Sequence, residues 1–274
     1  MRIRIAYATS YLYERPAGRM IQLLKLTPRS HEGQHVAHWQ VDVQPDGKLW
    51  RHEDPLGNVC HSLYLSQPVP RMTINVSGEV ETSDTAGVVR GAVERFPDAV
   101  FLRSTPLTEA DEAIVAFAHD AVAGAPEDPI AQLHALMAAV NKGLTFDVAP
   151  TDASTTAAQA FRLGRGVCQD LTHVFIAAAR RLGYPARYVS GHLAQADGRE
   201  LDAAHAWVEA KVEGLGWIAF DPTNNICATD ADLRVAVGLD YLGAAPVRGS
   251  RYGGGAEVLD VKLKADDALG QAQG

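Results

Sequence analysis

The apolar residues of this chain alternate at every second position from Arg2 to about residue 82, take helical spacing between 107 and 182, and alternate again from Ala186 onward. Period 2 lines one face of a strand and period 3.6 one face of a helix, so the order of periods reads as an α+β chain. Three stretches follow. Residues 1–83 form a β-rich, sandwich-like N-terminal domain, 84–106 a connecting segment, and 107–274 a unit of helices and sheet that includes a C-terminal strand. Turn signals at Pro45-Asp46-Gly47, Asp54-Pro55-Leu56-Gly57-Asn58 and Ser77-Gly78 punctuate the first stretch.

Within the last stretch, Thr108 with Asp111 reads as a capping box, and Asp128-Pro129 opens a helix that ends near Gly143. A short helix is expected over 156–163. The clearest helix carries Val167, Leu171, Val174, Phe175, Ala178 and Leu182 on one face and stops at Gly183-Tyr184-Pro185. Strands are expected at 186–193, 203–212, 217–220 and 257–264, and Gly253-Gly254-Gly255 as a turn.

Lys and Arg number 25 against 33 Asp and Glu, a net charge of −8 with no basic run, which argues against nucleic acid or an anionic membrane as partner. Charges interrupt the apolar N-terminus, so no signal peptide is expected, and no segment has the length of a spanning helix. Three widely spaced cysteines do not suggest a disulfide framework. A soluble, cytoplasmic protein is the expectation.

Cys168 follows the approach Gly164-Arg165-Gly166-Val167 into the amphipathic helix. Unpaired N–H groups and the dipole at a helix start favour a thiolate, and the same groups can receive an oxyanion. The glycines are expected to bend the backbone and leave room for substrate. In the strand from 203, Ala206, Val208, Ala210 and Val212 make the apolar face and His205, Trp207, Glu209 and Lys211 the other. In the next strand Ile218 and Phe220 join the apolar face, which sends Asp221 to the side of His205 if the hairpin loop is odd-numbered or bulged. Nucleophile, base and orienting carboxylate are what attack on an acyl carbon needs, so Cys168, His205 and Asp221 are the candidate catalytic residues. Asp170 either braces the approach loop or complements the dipole, and Asn224 either bonds around the trio or forms the turn.

Gly166-Val167-Cys168-Gln169-Asp170, Leu182-Gly183-Tyr184-Pro185-Ala186-Arg187-Tyr188-Val189-Ser190-Gly191, His205-Ala206-Trp207-Val208-Glu209 and Gly216-Trp217-Ile218-Ala219-Phe220-Asp221-Pro222-Thr223-Asn224 together resemble the transglutaminase-like superfamily of papain-related thiol enzymes. Tyr11-Leu12-Tyr13-Glu14-Arg15-Pro16, Leu26-Thr27-Pro28-Arg29 and Asp54-Pro55-Leu56-Gly57-Asn58 are similar to the β-rich N-terminal domain of its bacterial members, and Val235–Tyr241 to the usual C-terminal partner of that domain. The resemblance implies a papain-like core with a Cys-bearing helix on an antiparallel sheet. It also implies a Cys–His–Asp triad, no metal and no organic cofactor, and a peptide or protein substrate. Gln169, Asp170 and Asn224 are then candidates for supporting the site or its oxyanion, and His192 and Trp207 for shaping a substrate pocket. The Trp that precedes the nucleophile in animal cross-linking enzymes is absent, and position 192, often Tyr in bacterial relatives, is His.

Hydrolysis of peptide or amide bonds is favoured, since neither that Trp nor a calcium loop is present. Glutamine acyl transfer to an amine and a non-catalytic peptide-binding module are the alternatives. A metal site built from Cys168, His192, His205 and Asp221 has no ligand spacing to support it.

Overall fold

The computed structural model describes residues 1–149, 151–194, 200–201 and 205–267. Its first sheet is organised by β1 (Arg2–Thr27), which runs 26 residues with Ile3, Ile5, Tyr7, Met20 and Leu24 turned into the core. Along its first half β1 pairs antiparallel with β5 (Val69–Thr82) and β16 (Glu257–Asp267). Along its second half it pairs with β4 (Val59–Leu65) and β15 (Val247–Gly253). The ladders shift register between Leu12 and Ala17, where one long strand passes from one half-sheet into the other. β2 (Gln34–Gln44) extends β5, and β3 (Lys48–Glu53) extends β4.

β15 and β16 correct the sequence reading of 107–274 as one unit. The chain from Val247 returns to the first sheet and occupies the edges of β1 that would otherwise be unpaired. The pairing partner of a strand is long-range information that alternation does not carry.

The helical middle comprises α1 (Asp98–Phe101), α2 (Glu112–Val122), α3 (Pro129–Gly143), α4 (Ala157–Leu163) and α5 (Cys168–Arg181), with a short parallel pair between β7 (Thr145–Phe146) and β8 (Arg165–Gly166). Asp128 caps α3 through Ala131 N–H, with Pro129 in the first turn. Thr156 and Gln159 form a reciprocal cap on α4. α2 starts later than its sequence signal, because Asp111 is itself the N-cap and accepts from Ile114 N–H. Thr108 is drawn off instead: its hydroxyl meets Thr105 and accepts from the buried Arg180 guanidinium at 2.7 Å. No helix among the described residues is long and apolar enough to cross a membrane.

The second sheet has the order β13 (Ile226–Cys227), β12 (Gly216–Asp221), β11 (His205–Val212), β9 (Ala186–Leu193), β14 (Asp232–Gly238). Ala203 and Ala204, where β11 was expected to begin, lie outside the described residues. α5 packs on the face formed by Ala206, Val208, Ala210, Ile218 and Phe220, with Phe175 stacked on Phe220 at 5.8 Å. The opposite face is buried as well. The segment 84–106 covers it: β6 (Val88–Val89) pairs with Trp217 and Ile218, and Phe101 meets the Trp217 ring edge-on at 4.9 Å. The remaining short elements are β10 (Glu200–Leu201), paired with β16, and α6 (Tyr241–Ala244).

Two side-chain amides join the halves of the molecule. β14 is an edge strand, and its main chain is capped by Gln34 and Asn58 of the N-terminal domain. Gln34 exchanges two hydrogen bonds with the backbone of Arg234, both 2.9 Å, and Asn58 does the same with Val237, both 2.8 Å. Each amide carries a donor and an acceptor in one plane, so it can stand in for a missing strand. Asp54 holds Asn58 in place, and Lys25 bonds both Asp54 and the Gly243 carbonyl at 2.6 Å.

Candidate active site

Cys168 is the first helical residue of α5 and is partly exposed, whereas the helix from Asp170 to Arg180 is buried. The turn before it is made by Gly164, which caps α4 in the left-handed region at φ 65°. Gly166 serves another purpose. A Cβ there would lie 2.4 Å from Asp170 Oδ2, so the absence of a side chain makes room for Asp170 rather than for substrate. Asp170 Oδ2 accepts from Val167 N–H and from the Thr151 hydroxyl, both at 2.8 Å. That braces the approach loop and decides between the two sequence readings of this residue. Burial pushes the Asp170 carboxyl upward against those bonds. Leu171 and Asp170 donate to the Val167 carbonyl, leaving the first N–H groups of the helix, on Cys168 and Gln169, without an acceptor inside it. The Gln169 side chain turns away to the Asp152 carbonyl at 3.4 Å.

The β11–β12 register places Val208 opposite Phe220 and Glu209 opposite Ala219, closing through the odd loop Glu213–Leu215 with Gly214 and Gly216 at positive φ. Asp221 therefore shares the face of His205, and His205 Nε2 bonds Asp221 Oδ2 at 2.7 Å. Four contacts fix that carboxylate. Oδ1 accepts from the N–H groups of Thr223 at 2.8 Å and Asn224 at 3.2 Å, and Oδ2 accepts from Asn224 Nδ2 at 2.6 Å as well as from His205. Burial alone raises an acid, yet the His205 and Asn224 bonds outweigh it and hold Asp221 below the usual carboxylate range.

His205 shows the converse balance. Burial disfavours its cation, but the hydrogen bond to Asp221 and the bond and charge of Cys168 raise it to about 10. With Nε2 committed to Asp221, Nδ1 is the nitrogen left for the sulfur. The arrangement is a helix-mouth thiol coupled to an imidazole that a carboxylate orients.

Three contributors had no sequence signal. Asp232, at the start of β14, brings a ligand atom within 4.8 Å of those of His205 and Asp221, with its Oδ2 held by Thr229 N–H at 2.8 Å. Asn141, at the end of α3, donates to the carbonyls of Pro222 at 3.0 Å and Thr223 at 2.9 Å and so anchors the turn after Asp221. Thr151 is the third, on Asp170. Each reaches the site from a remote segment, which no local pattern reveals.

His192 and Trp207, the residues expected to shape a substrate pocket, are both buried. Trp207 is 2% exposed, its ring 6.0 Å from that of His205, in a small apolar cluster with Val189, Ala219 and Val237. Gly191 makes space for it, since a Cβ there would meet the indole at 2.4 Å. Trp207 backs His205 from within the fold. His192 is 4% exposed against Tyr7 of β1, and burial lowers it to about 4, which leaves it neutral at pH 7. Both are buried because the N-terminal domain and the 84–106 segment cover what strand alternation alone leaves open.

The three cysteines are distinguishable by chemistry. Burial raises the thiols of Cys60 and Cys227, while Cys168 sits beside His205. Limiting iodoacetamide near neutral pH is expected to label Cys168 first, read by peptide mass mapping. Earlier labelling of Cys60 or Cys227 would contradict an activated Cys168.

Fold and site together define a protein that presents a helix-borne thiol to a strand-borne His–Asp pair behind a β-rich N-terminal domain. The transglutaminase-like superfamily pattern matches residues 116–222 and that of the bacterial transglutaminase-like N-terminal region residues 3–81, and the chain belongs to this superfamily in its bacterial two-part form. An uncharacterized protein of Mycobacterium leprae is 32% identical over 278 residues, spanning 96% of this chain and 98% of that one. A relative from Mycobacterium tuberculosis is 28% identical over 92% of this chain and 88% of its own. Among solved structures, a proposed cysteine protease of Cytophaga hutchinsonii shares the fold with TM-score 0.77 at 19% identity, covering 97% of this chain and 90% of that one.

Proposed function

We propose that the protein is a cysteine-dependent hydrolase of peptide or amide bonds, working through a Cys168 acyl-enzyme. The observation that carries this reading is the 2.7 Å bond from His205 Nε2 to Asp221, which leaves Nδ1 for Cys168 and keeps the ring charged. The thiolate adds to the acyl carbon, and the carbonyl electron pair moves to oxygen, where the open N–H groups at the start of α5 are available to receive it. Collapse breaks the C–N bond as the leaving amine takes the proton from Nδ1. Water then adds to the thioester and gives a proton to the same nitrogen, and a second collapse releases the carboxylic acid and restores thiolate and imidazolium.

The test compares the wild type with Cys168→Ala in a peptide-library digest and in a parallel amine-incorporation assay. New peptide termini with the wild type alone are expected. Amine labelling without new termini would replace hydrolysis by acyl transfer, and identical behaviour of both proteins would leave a peptide-binding module.

A further inference from the structure

β2 and β3 follow one another in the chain and are joined only by residues 45–47, yet they do not pair. β2 runs beside β5 and β3 beside β4. β1 passes through both half-sheets and closes one side of the sandwich, so β2 and β3 end those half-sheets as two edges with no ladder between them among the described residues. Between them lies a groove of about 820 Å³.

Its chemistry is uneven. Val36, Trp39 and Val41 of β2 and Leu49 of β3 make apolar walls, while Arg29 and Arg51 supply positive charge beside the imidazole of His61, whose cation burial disfavours. No Asp or Glu lines it, although acids outnumber bases 33 to 25 in the whole chain. Arg29 is paired with Glu53, but the Arg51 guanidinium has no carboxylate partner among the described residues. Two polar atoms at the groove, Thr27 Oγ1 and His61 Nδ1, are buried without a hydrogen-bond partner. Unpaired sheet edges offer main-chain hydrogen bonds to any extended strand, and the residues beside them select its side chains.

We propose that this groove docks an extended, acidic segment of a partner polypeptide, which adds as a strand along the free edges of β2 and β3. Side chains alternate across a strand, so apolar residues enter between Trp39, Val41 and Leu49 while the intervening carboxylates face the side that carries Arg51. β3 has six residues, which sets the docked length at roughly 20 Å or about six residues. The site lies wholly in the N-terminal domain and does not depend on the chemistry at Cys168.

The probe is a fluorescein-labelled, N-acetylated Glu-Val-Glu-Val-Glu-Val peptide, followed by fluorescence anisotropy with the full chain carrying Cys168→Ala so that no turnover occurs. Saturable binding is expected, with hydrogen-exchange protection confined to residues 34–53. The Lys-Val counterpart, a backbone N-methylated Glu-Val peptide and the Arg51→Glu variant are each expected to bind about tenfold more weakly or worse. Arg51 is exposed, so the variant should keep its fold, and its melting curve checks this. Equal binding of the Lys-Val peptide, undiminished binding after N-methylation or in Arg51→Glu, protection elsewhere, or no binding of the acidic peptide would each overturn the proposal.

Discussion

His205→Gln is expected to lower kcat/KM for peptide or amide cleavage by about 10²- to 10⁴-fold, the range removed when a positioned acid–base group is lost. The Gln side-chain amide would still donate a hydrogen bond to Asp221, so the loss is chemical and the melting temperature should change little. Alkylation of Cys168 should slow in parallel, because the imidazolium that stabilises the thiolate is gone. A variant that keeps wild-type kcat/KM would remove His205 from the mechanism.

The same residue is expected to set an alkaline limit to activity. The folded value of about 10 lies above the ordinary histidine value of about 6.5, so the ion pair contributes fully at and below the lower figure and is lost as pH rises through the higher. Activity should therefore decline on an alkaline limb near pH 10. Cys168→Ala removes one cause of the elevation and leaves Asp221, so the imidazole resonances of that variant should titrate at lower pH than in the wild type, followed by NMR.

Glu209→Leu is expected to destabilise the fold by about 3–5 kcal/mol, seen as a lower urea midpoint, although the residue touches no reacting group. Glu209 is fully buried, accepts from Arg187 Nε and Arg234 Nε at 2.6 Å each, and also receives Arg234 Nη2 at 3.2 Å. Burial works against its charge, but the two guanidinium groups hold it down at about 2. Arg187 is equally buried and lies over the Trp217 ring at 3.9 Å, so removing the shared carboxylate strands a cation inside the protein. Replacing all three together by Met, Leu and Met should recover most of the loss, because no unpaired charge then remains. An unchanged midpoint in the single variant would show that solvent reaches Arg187.

Much of the site is local enough to be read in advance. Gly164 ends one helix and Val167 precedes the next because a glycine in the left-handed region and an extended residue are what that turn requires. Asp128-Pro129 opens α3 for the same kind of reason. Thr108 misled because a capping signal is a local preference, and the buried Arg180 outbid it for the hydroxyl. Glu209, Trp207 and Arg187 carry no mark of burial, since alternation says only which residues share a face.

The sequence by itself therefore determined the thiol at a helix mouth and the shared face of His205 and Asp221, since strand parity and helix capping act over a few residues. The tertiary structure alone decided what covers that face. It brought Asp232, Asn141 and Thr151 to the site, sent β15 and β16 back to β1, and set Gln34 and Asn58 along the edge of β14. Those contacts join segments far apart in the chain, and they form because buried polar groups and open strand edges must find partners wherever the fold supplies them.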